Sequence, residues 1–277
     1  MAAGRRLRTA QLATQSDEDR CFIAKHGVVV LDGATAHRAS AGPSGGDYAS
    51  VLGAILAEAL DHGPHQLSLV EILERAIAQA IEVLQLEKGA RDSASCTVAL
   101  ARFGEADTVD LLVLGDSTIA VGSAGGSVEV ITDTRLDEIG LPEADEYKSR
   151  LVRGCGYDEI HRHILSNLQK RQQRWRNRAG GYWIAATEPA AARHAMIMRR
   201  LDVQWLVLAT DGVSDCLETL GISWQDLADA DYTGLANYLR RCHAWEAGVD
   251  PHGSLLPRAK RHDDKTVVTM RRTQLEG

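Results

Sequence analysis

Residues 28–33 read VVVLDG, and the same pattern returns as LLVLGDS at 111–117 and LVLATDG at 206–212. Each is a short apolar run that ends in an aspartate beside a glycine or serine, at Asp32, Asp116 and Asp211. Short runs of Val and Leu bounded by turn residues read as buried strands. An aspartate leaving such a strand projects its carboxylate from the end of the sheet, and glycine lets another backbone approach closely. A single case is the ordinary chemistry of a turn. Here the pattern extends to the acidic pair Asp263-Asp264, just before the run TVVTM at 266–270, and to Glu18-Asp19 ahead of the first run. Carboxylate oxygens are hard ligands for Mg²⁺ or Mn²⁺, and several like charges gather in one place only with cations among them.

Outward from these points, the apolar runs predict strands at Val28–Leu31, Thr97–Phe103, Leu111–Leu114, Thr118–Val121, Val128–Ile131, Trp205–Ala209 and Thr266–Met270. Leu69, Ile72, Leu73, Ala76, Ile77, Ala80, Ile81 and Leu84 line one face of a helix. Ser68 is its expected N-cap, with Glu71 as the capping-box partner. A second helix is expected over Asp47–Leu60, and Gly63-Pro64 separates the two. Ser223 with Asp226 predicts the start of a helix to about Asp229, and Tyr232–Trp245 predicts another. Helices, then hairpin-like strands, then helices and a closing strand make an α+β order rather than strict βαβ alternation. One domain over residues 1–277 is expected, with an N-terminal tail at 1–12 and a charged, flap-like insert at 135–187. The insert is read two ways, as a solvated helix around Asp158–Arg176 or as a basic flap that recruits a phosphorylated substrate.

Composition narrows the function classes. Hydrophobic residues make up 44% and charged residues 25% of 277, ordinary for a globular protein. Aromatics at 5% leave the core to Val, Leu, Ile and Ala. A net charge of -7 argues against a broad basic face for nucleic acid. The five cysteines include no C-x-x-C pair and read as reduced thiols. No apolar run is long enough for a signal peptide or a bilayer span, so a cytoplasmic protein with no membrane partner is expected. Neither a Walker-type loop nor H-E-x-x-H occurs. Gly42-Pro43-Ser44-Gly45-Gly46 reads as a mobile loop, and His161 and His163, two apart in a helical stretch, point to different faces.

Six pieces together resemble the metal-dependent protein phosphatases of type 2C, the PPM family. In the family's order they are Ser16-Asp17-Glu18-Asp19, Leu31-Asp32-Gly33, Ser95-Cys96-Thr97-Val98, Leu114-Gly115-Asp116-Ser117, Ala209-Thr210-Asp211-Gly212 and Asp263-Asp264-Lys265-Thr266. The resemblance implies a four-layer α-β-β-α sandwich, two antiparallel sheets flanked by helix pairs. It implies two Mg²⁺ or Mn²⁺ ions, and a weaker third. Asp32 would bridge the pair, the Gly33 carbonyl would bind the second ion, and Asp211 and Asp263 would complete the first. Asp116 would join Asp211 at the third, while Glu18 and Asp19 would orient water. The implied reaction is hydrolysis of a phosphomonoester by water activated between cations, with a phosphorylated protein as substrate.

The sequence departs from the family at two points. Where the family often has D-G-H-G-G, this chain has Asp32-Gly33-Ala34-Thr35-Ala36-His37, and alanine donates no proton. His37, His262 or a water would have to take the histidine's place. The phosphate-binding arginine of eukaryotic relatives is replaced by Thr14, as bacterial members commonly lack it. That leaves phosphate to the metals and to a flap arginine, with Arg174, Arg176 and Arg178 as candidates. Two alternatives stay open: a phosphatase of phosphorylated small molecules, and a weakly catalytic binding module on the same fold. A haloacid-dehalogenase-type phosphatase needs a second aspartate where Ala34 stands. Oligomeric state is not legible.

Overall fold

The computed structural model describes residues 4–36, 42–63, 66–104 and 108–273. In chain order the strands are β1 (Gly4–Leu12), β2 (Arg20–Ala24), β3 (Gly27–Leu31), β4 (Gly33–Ala34), β5 (Ser95–Cys96), β6 (Val98–Phe103), β7 (Val109–Leu114), β8 (Thr118–Ser123), β9 (Val128–Ile131), β10 (Met196–Arg200), β11 (Val203–Ala209) and β12 (Lys265–Thr273). The helices are α1 (Gly45–His62), α2 (Leu69–Val83), α3 (Arg135–Glu138), α4 (Pro142–Val152), α5 (Glu159–Trp175), α6 (Asp211–Ser214), α7 (Trp224–Asp229) and α8 (Tyr232–Gly248).

Two five-stranded sheets form, in the orders β1-β12-β11-β8-β9 and β10-β7-β6-β3-β2, and their strand pairings are antiparallel. Period-two side-chain direction sorts the core into layers. Val28, Val30, Ala99, Ala101, Leu111 and Val113 face Ile119, Val121, Leu206, Leu208, Val268 and Met270 between the sheets. Their alternates Val29, Leu31, Leu100 and Leu112 pack outward under α1 and α2. On the other side Trp205, Val207, Ala209 and Val267 pack against residues of α7 and α8. The expected α-β-β-α sandwich is what forms.

The capping boxes at Ser68/Glu71 and Ser223/Asp226 are both present. A third, Ser44 with Asp47, starts α1, so Ser44-Gly45-Gly46 opens a helix and is not the loop expected there. Residues 4–12 are not a tail: β1 pairs with β12 along its whole length, from Gly4 opposite Thr273 to Leu12 opposite Lys265. β2 and β10 also went unpredicted. All three lie at sheet edges, where the outward side of a strand faces water and no apolar run is required. Nor do β7 and β8 form a hairpin: the Gly115-Asp116-Ser117 turn carries the chain from one sheet to the other. Gly115 has φ +83°, and a Cβ there would lie 2.9 Å from the Thr97 side chain.

The 135–187 insert holds α3, α4 and α5. Leu141, Tyr147, Leu151, Ile164 and Leu168 form a small cluster of their own between α4 and α5. Among the described residues, no helix is long and apolar enough to cross a membrane.

Candidate active site

Antiparallel register brings the acidic strand ends to one end of the sandwich. Arg20 opens β2 opposite Leu31, the last residue of β3. Val98 opens β6 opposite Leu114, the last residue of β7. Ala209 ends β11 between Thr118 of β8 and Val267 of β12. Glu18, Asp32, Asp116, Asp211 and Asp263 therefore converge, and together with Gly33 they line a cavity of about 460 Å³. Asp116, Asp211 and Asp263 also line an adjoining cavity of about 340 Å³, with Asp137 and Asp215.

Close backbone packing sets the position of Asp32. A Cβ on Gly33 would lie 2.6 Å from the Glu18 carbonyl oxygen, and one on Gly45 would lie 2.4 Å from the Ala34 nitrogen. These two glycines let the first turn of α1 rest on the chain just after Asp32. The Asp32 N–H donates to Thr97 Oγ1 at 3.2 Å, and that hydroxyl shares a hydrogen bond with Ser117 Oγ at 2.5 Å. The Glu18 carboxylate accepts from the Thr35 hydroxyl, which itself accepts from the Gly45 N–H at 2.9 Å.

Of the two acidic pairs, one member each faces the cavity. Asp19 is buried behind it, accepting from the Thr210 hydroxyl at 2.8 Å. Asp264 is structural: it accepts from the Glu18 N–H at 2.7 Å, from the Thr14 hydroxyl at 2.7 Å and from Ser16 Oγ at 2.9 Å. Burial alone would raise its pKa, but these donors hold the carboxyl below its usual range. The loop that ends at Asp263 is pinned at its start by buried Asp250. This carboxylate takes the Arg258 guanidinium at 2.7 Å and the Leu255 and Leu256 N–H groups at 3.1 Å.

The cavity carboxyls are half-buried, open to the cavity on one side and enclosed by protein on the others. Burial, then Asp211, Asp19, Asp263 and Asp116, push Asp32 well above the usual carboxyl range. Burial and Asp263 raise Asp211, although Asp32, Lys260 and the Gly212 N–H work against the shift. Asp19 and Asp116 are pushed up to about 7, in both cases by burial first and then chiefly by carboxylate neighbours. Asp215, in the adjoining cavity, also reaches about 7, through burial and the charges of Asp211, Asp137 and Asp263. A set of carboxyls that resist ionisation because they face one another is suited to divalent cations. The donor set is all oxygen, which favours Mg²⁺ or Mn²⁺.

Sequence reasoning missed several lining groups, Lys260 and Asp133 among them. Lys260 Nζ donates to Asp263 Oδ1 at 2.9 Å, and despite desolvation the charges of Asp263, Asp32 and Glu18 raise its pKa. Its signal was a lysine three residues ahead of a metal-type aspartate. Asp133, just beyond the end of β9, is buried, lines both cavities and pairs with Arg135. No apolar run ends on it.

The flap differs from the basic reading. Gln169, Gln172, Gln173 and Arg176 line the cavity, an i, i+3, i+4, i+7 set that presents amides. Arg171 pairs with Glu143 at 2.9 Å and Arg150 with Asp158 at 2.7 Å. Of the three candidate arginines only Arg176 reaches the cavity, and its Nη2 donates to the Ser93 carbonyl at 2.9 Å. Arg174 and Arg178 are exposed, with the Arg178 guanidinium over the Trp175 ring at 5.5 Å. His262 does not line either cavity: its Nδ1 lies 2.8 Å from Glu246 Oε2, outside the cleft. His37 falls outside the described residues. Ala34 does line the cavity, so the position that often holds the family histidine offers no proton.

Two antiparallel sheets between helix layers, with a carboxylate-rich cleft at one end of the sandwich, define a metal-dependent phosphatase architecture. The family model for Protein phosphatase 2C matches residues 11–247, and the chain belongs to that family. Its activity class is accordingly metal-dependent hydrolysis of phosphoproteins. Similar folds occur in the serine/threonine phosphatase PstP/Ppp of Mycobacterium tuberculosis, with TM-score 0.58 and 18% identity, covering 98% of this chain and 99% of that one. Staphylococcus aureus Stp1 gives 0.57 and 14%, covering 100% and 96%. MsPP of Mycobacterium smegmatis, solved with cacodylate, gives 0.55 and 16%, covering 98% of each chain. No curated protein matches the sequence.

Proposed function

We propose that residues 4–273 act as one cytoplasmic phosphatase unit that removes phosphate from serine or threonine side chains of proteins, using two Mg²⁺ or Mn²⁺ ions in the cleft. The observation that carries this reading is the convergence of Glu18, Asp32, Asp116, Asp211 and Asp263 on one cavity. Asp32, the Gly33 carbonyl, Asp211 and Asp263 would hold the two ions, and Asp116 with Asp211 a weaker third. The ions supply Lewis acidity and lower the pKa of water toward neutrality.

The chain's own side chains do the rest. Glu18, held by Thr35, orients water at the inner wall, and Asp19, held by Thr210, adds negative charge from behind it. Lys260 places a fixed positive charge where a phosphoryl oxygen would sit beside Asp263. The amide face of α5 offers neutral donors to the segment carrying the phosphorylated residue. Among the described residues, none that lines the cavity is a histidine, and we assign protonation of the leaving alkoxide to water.

Turnover of phosphoserine and phosphothreonine peptides should exceed that of an aryl phosphate and of a panel of phosphorylated metabolites, and a chelator should abolish it. A peptide rate no better than the aryl phosphate rate would remove the protein-substrate reading. A rate that survives chelation would remove the metal.

A further inference from the structure

We propose that His243, Glu246 and His262 form a second metal site, beside the adjoining carboxylate cavity whose wall Glu246 shares, that takes a borderline divalent cation of the Zn²⁺ type. One ligand atom from each of the three lies within 4.8 Å of the others. His243 and Glu246 are three residues apart on α8 and so share a face of the helix. His262 approaches from the loop before β12. Its Nδ1 is 2.8 Å from Glu246 Oε2, and its ring stacks on that of His243 at 4.1 Å with 28° between the planes.

The cluster carries the further features of a built site. Glu246 is buried, and its other oxygen, Oε1, is fixed at 2.8 Å by the fully buried ammonium of Lys265. Cys216 Sγ also donates to Oε1, at 3.6 Å. These contacts hold the carboxylate in one rotamer and leave Oε2 turned toward the imidazoles, as outer-shell partners do for metal ligands. His243 is exposed, which gives an ion a way in and leaves a position for water.

Two imidazole nitrogens and one carboxylate oxygen suit Zn²⁺, whereas Mg²⁺ avoids nitrogen donors. The two sites are thus chemically distinct. They are also mechanically joined, because His262 precedes Asp263. An ion on His262 would tie the loop that carries Lys260 and Asp263 to α8.

The test is a Zn²⁺ titration of the metal-free full chain by calorimetry, with Mg²⁺ in excess, repeated with Co²⁺ to read visible ligand-field absorption. Wild type and Asp211→Asn should each retain a bound equivalent whose Co²⁺ spectrum reports nitrogen ligands. His243→Ala should weaken it by at least about tenfold. His243 is exposed, so that variant should melt like wild type without metal, and His262→Gln gives an independent check. The proposal is overturned if both histidine variants bind Zn²⁺ as wild type does. It is equally overturned if the equivalent disappears in Asp211→Asn but persists in His243→Ala, which would assign it to the cleft. This outcome does not depend on phosphatase activity.

Discussion

Around Glu246 a buried carboxylate meets Lys265 at 2.8 Å on one oxygen and His262 at 2.8 Å on the other. In the cleft nearby, burial and the charges of neighbouring carboxylates, Asp263 among them, raise the pKa values of Asp32 and Asp211, and Lys260 is a fixed cation beside Asp263. The two regions share a loop, a strand and a dependence on carboxylate chemistry, yet they balance charge differently. Where the chain supplies its own counter-ion, the charge belongs to the fold. Where it supplies too few cations for its carboxylates, the fold tolerates a repulsion that bound cations relieve, and stability is given up for a site.

That contrast can be broken by substitution. Asp211→Asn should lower Mn²⁺-supported turnover by about 10²–10³-fold. At the same time it should raise the melting temperature of the metal-free protein, because a like charge is gone. A lower metal-free melting point would mean that the cleft is not repulsive. Glu246→Ala should do the opposite to stability. It leaves Lys265 buried without its partner, at a cost of roughly 3–5 kcal/mol, which chemical denaturation would register. An unchanged denaturation midpoint would show that the pair is not holding the fold.

The smallest effect sharpens the comparison through pH. Asp19, Asp116 and Asp215 have folded-state values near 7 against an ordinary 3.8. A carboxyl raised on folding favours the native state below its unfolded pKa, and that contribution is lost as pH rises through the folded pKa. The metal-free melting temperature should therefore fall by a few degrees between about pH 4 and pH 7. Saturating Mn²⁺ should flatten or invert the trend, since ions take over the negative charge. A metal-free melting temperature that rises across this window would contradict the raised values.

The central strands were legible because both of their faces are buried and their sequences are almost unbroken Val, Leu and Ala. The edge strands β1, β2 and β10 were not, since one side of each pairs with nothing, and β1 carries Arg5, Arg6 and Arg8. In the site, the aspartates that end strands announced themselves by position. Lys260 and Asp133 did not, because neither ends an apolar run. His262 stood beside Asp263 in the chain, and a turn there sends the two side chains to different places.

By itself the sequence determined the α+β order of elements, the capped starts of α2 and α7 and the acidic residues at the ends of the central strands. These follow from local periodicity and from turn chemistry, which a chain carries in its composition. Tertiary structure alone decided that Glu18 and Asp263 face the cavity while Asp19 and Asp264 turn away. It also decided that α5 presents glutamines over the cleft. Such choices rest on hydrogen bonds like that from Thr14 to Asp264, between residues 250 positions apart, and no local pattern encodes a partner at that distance.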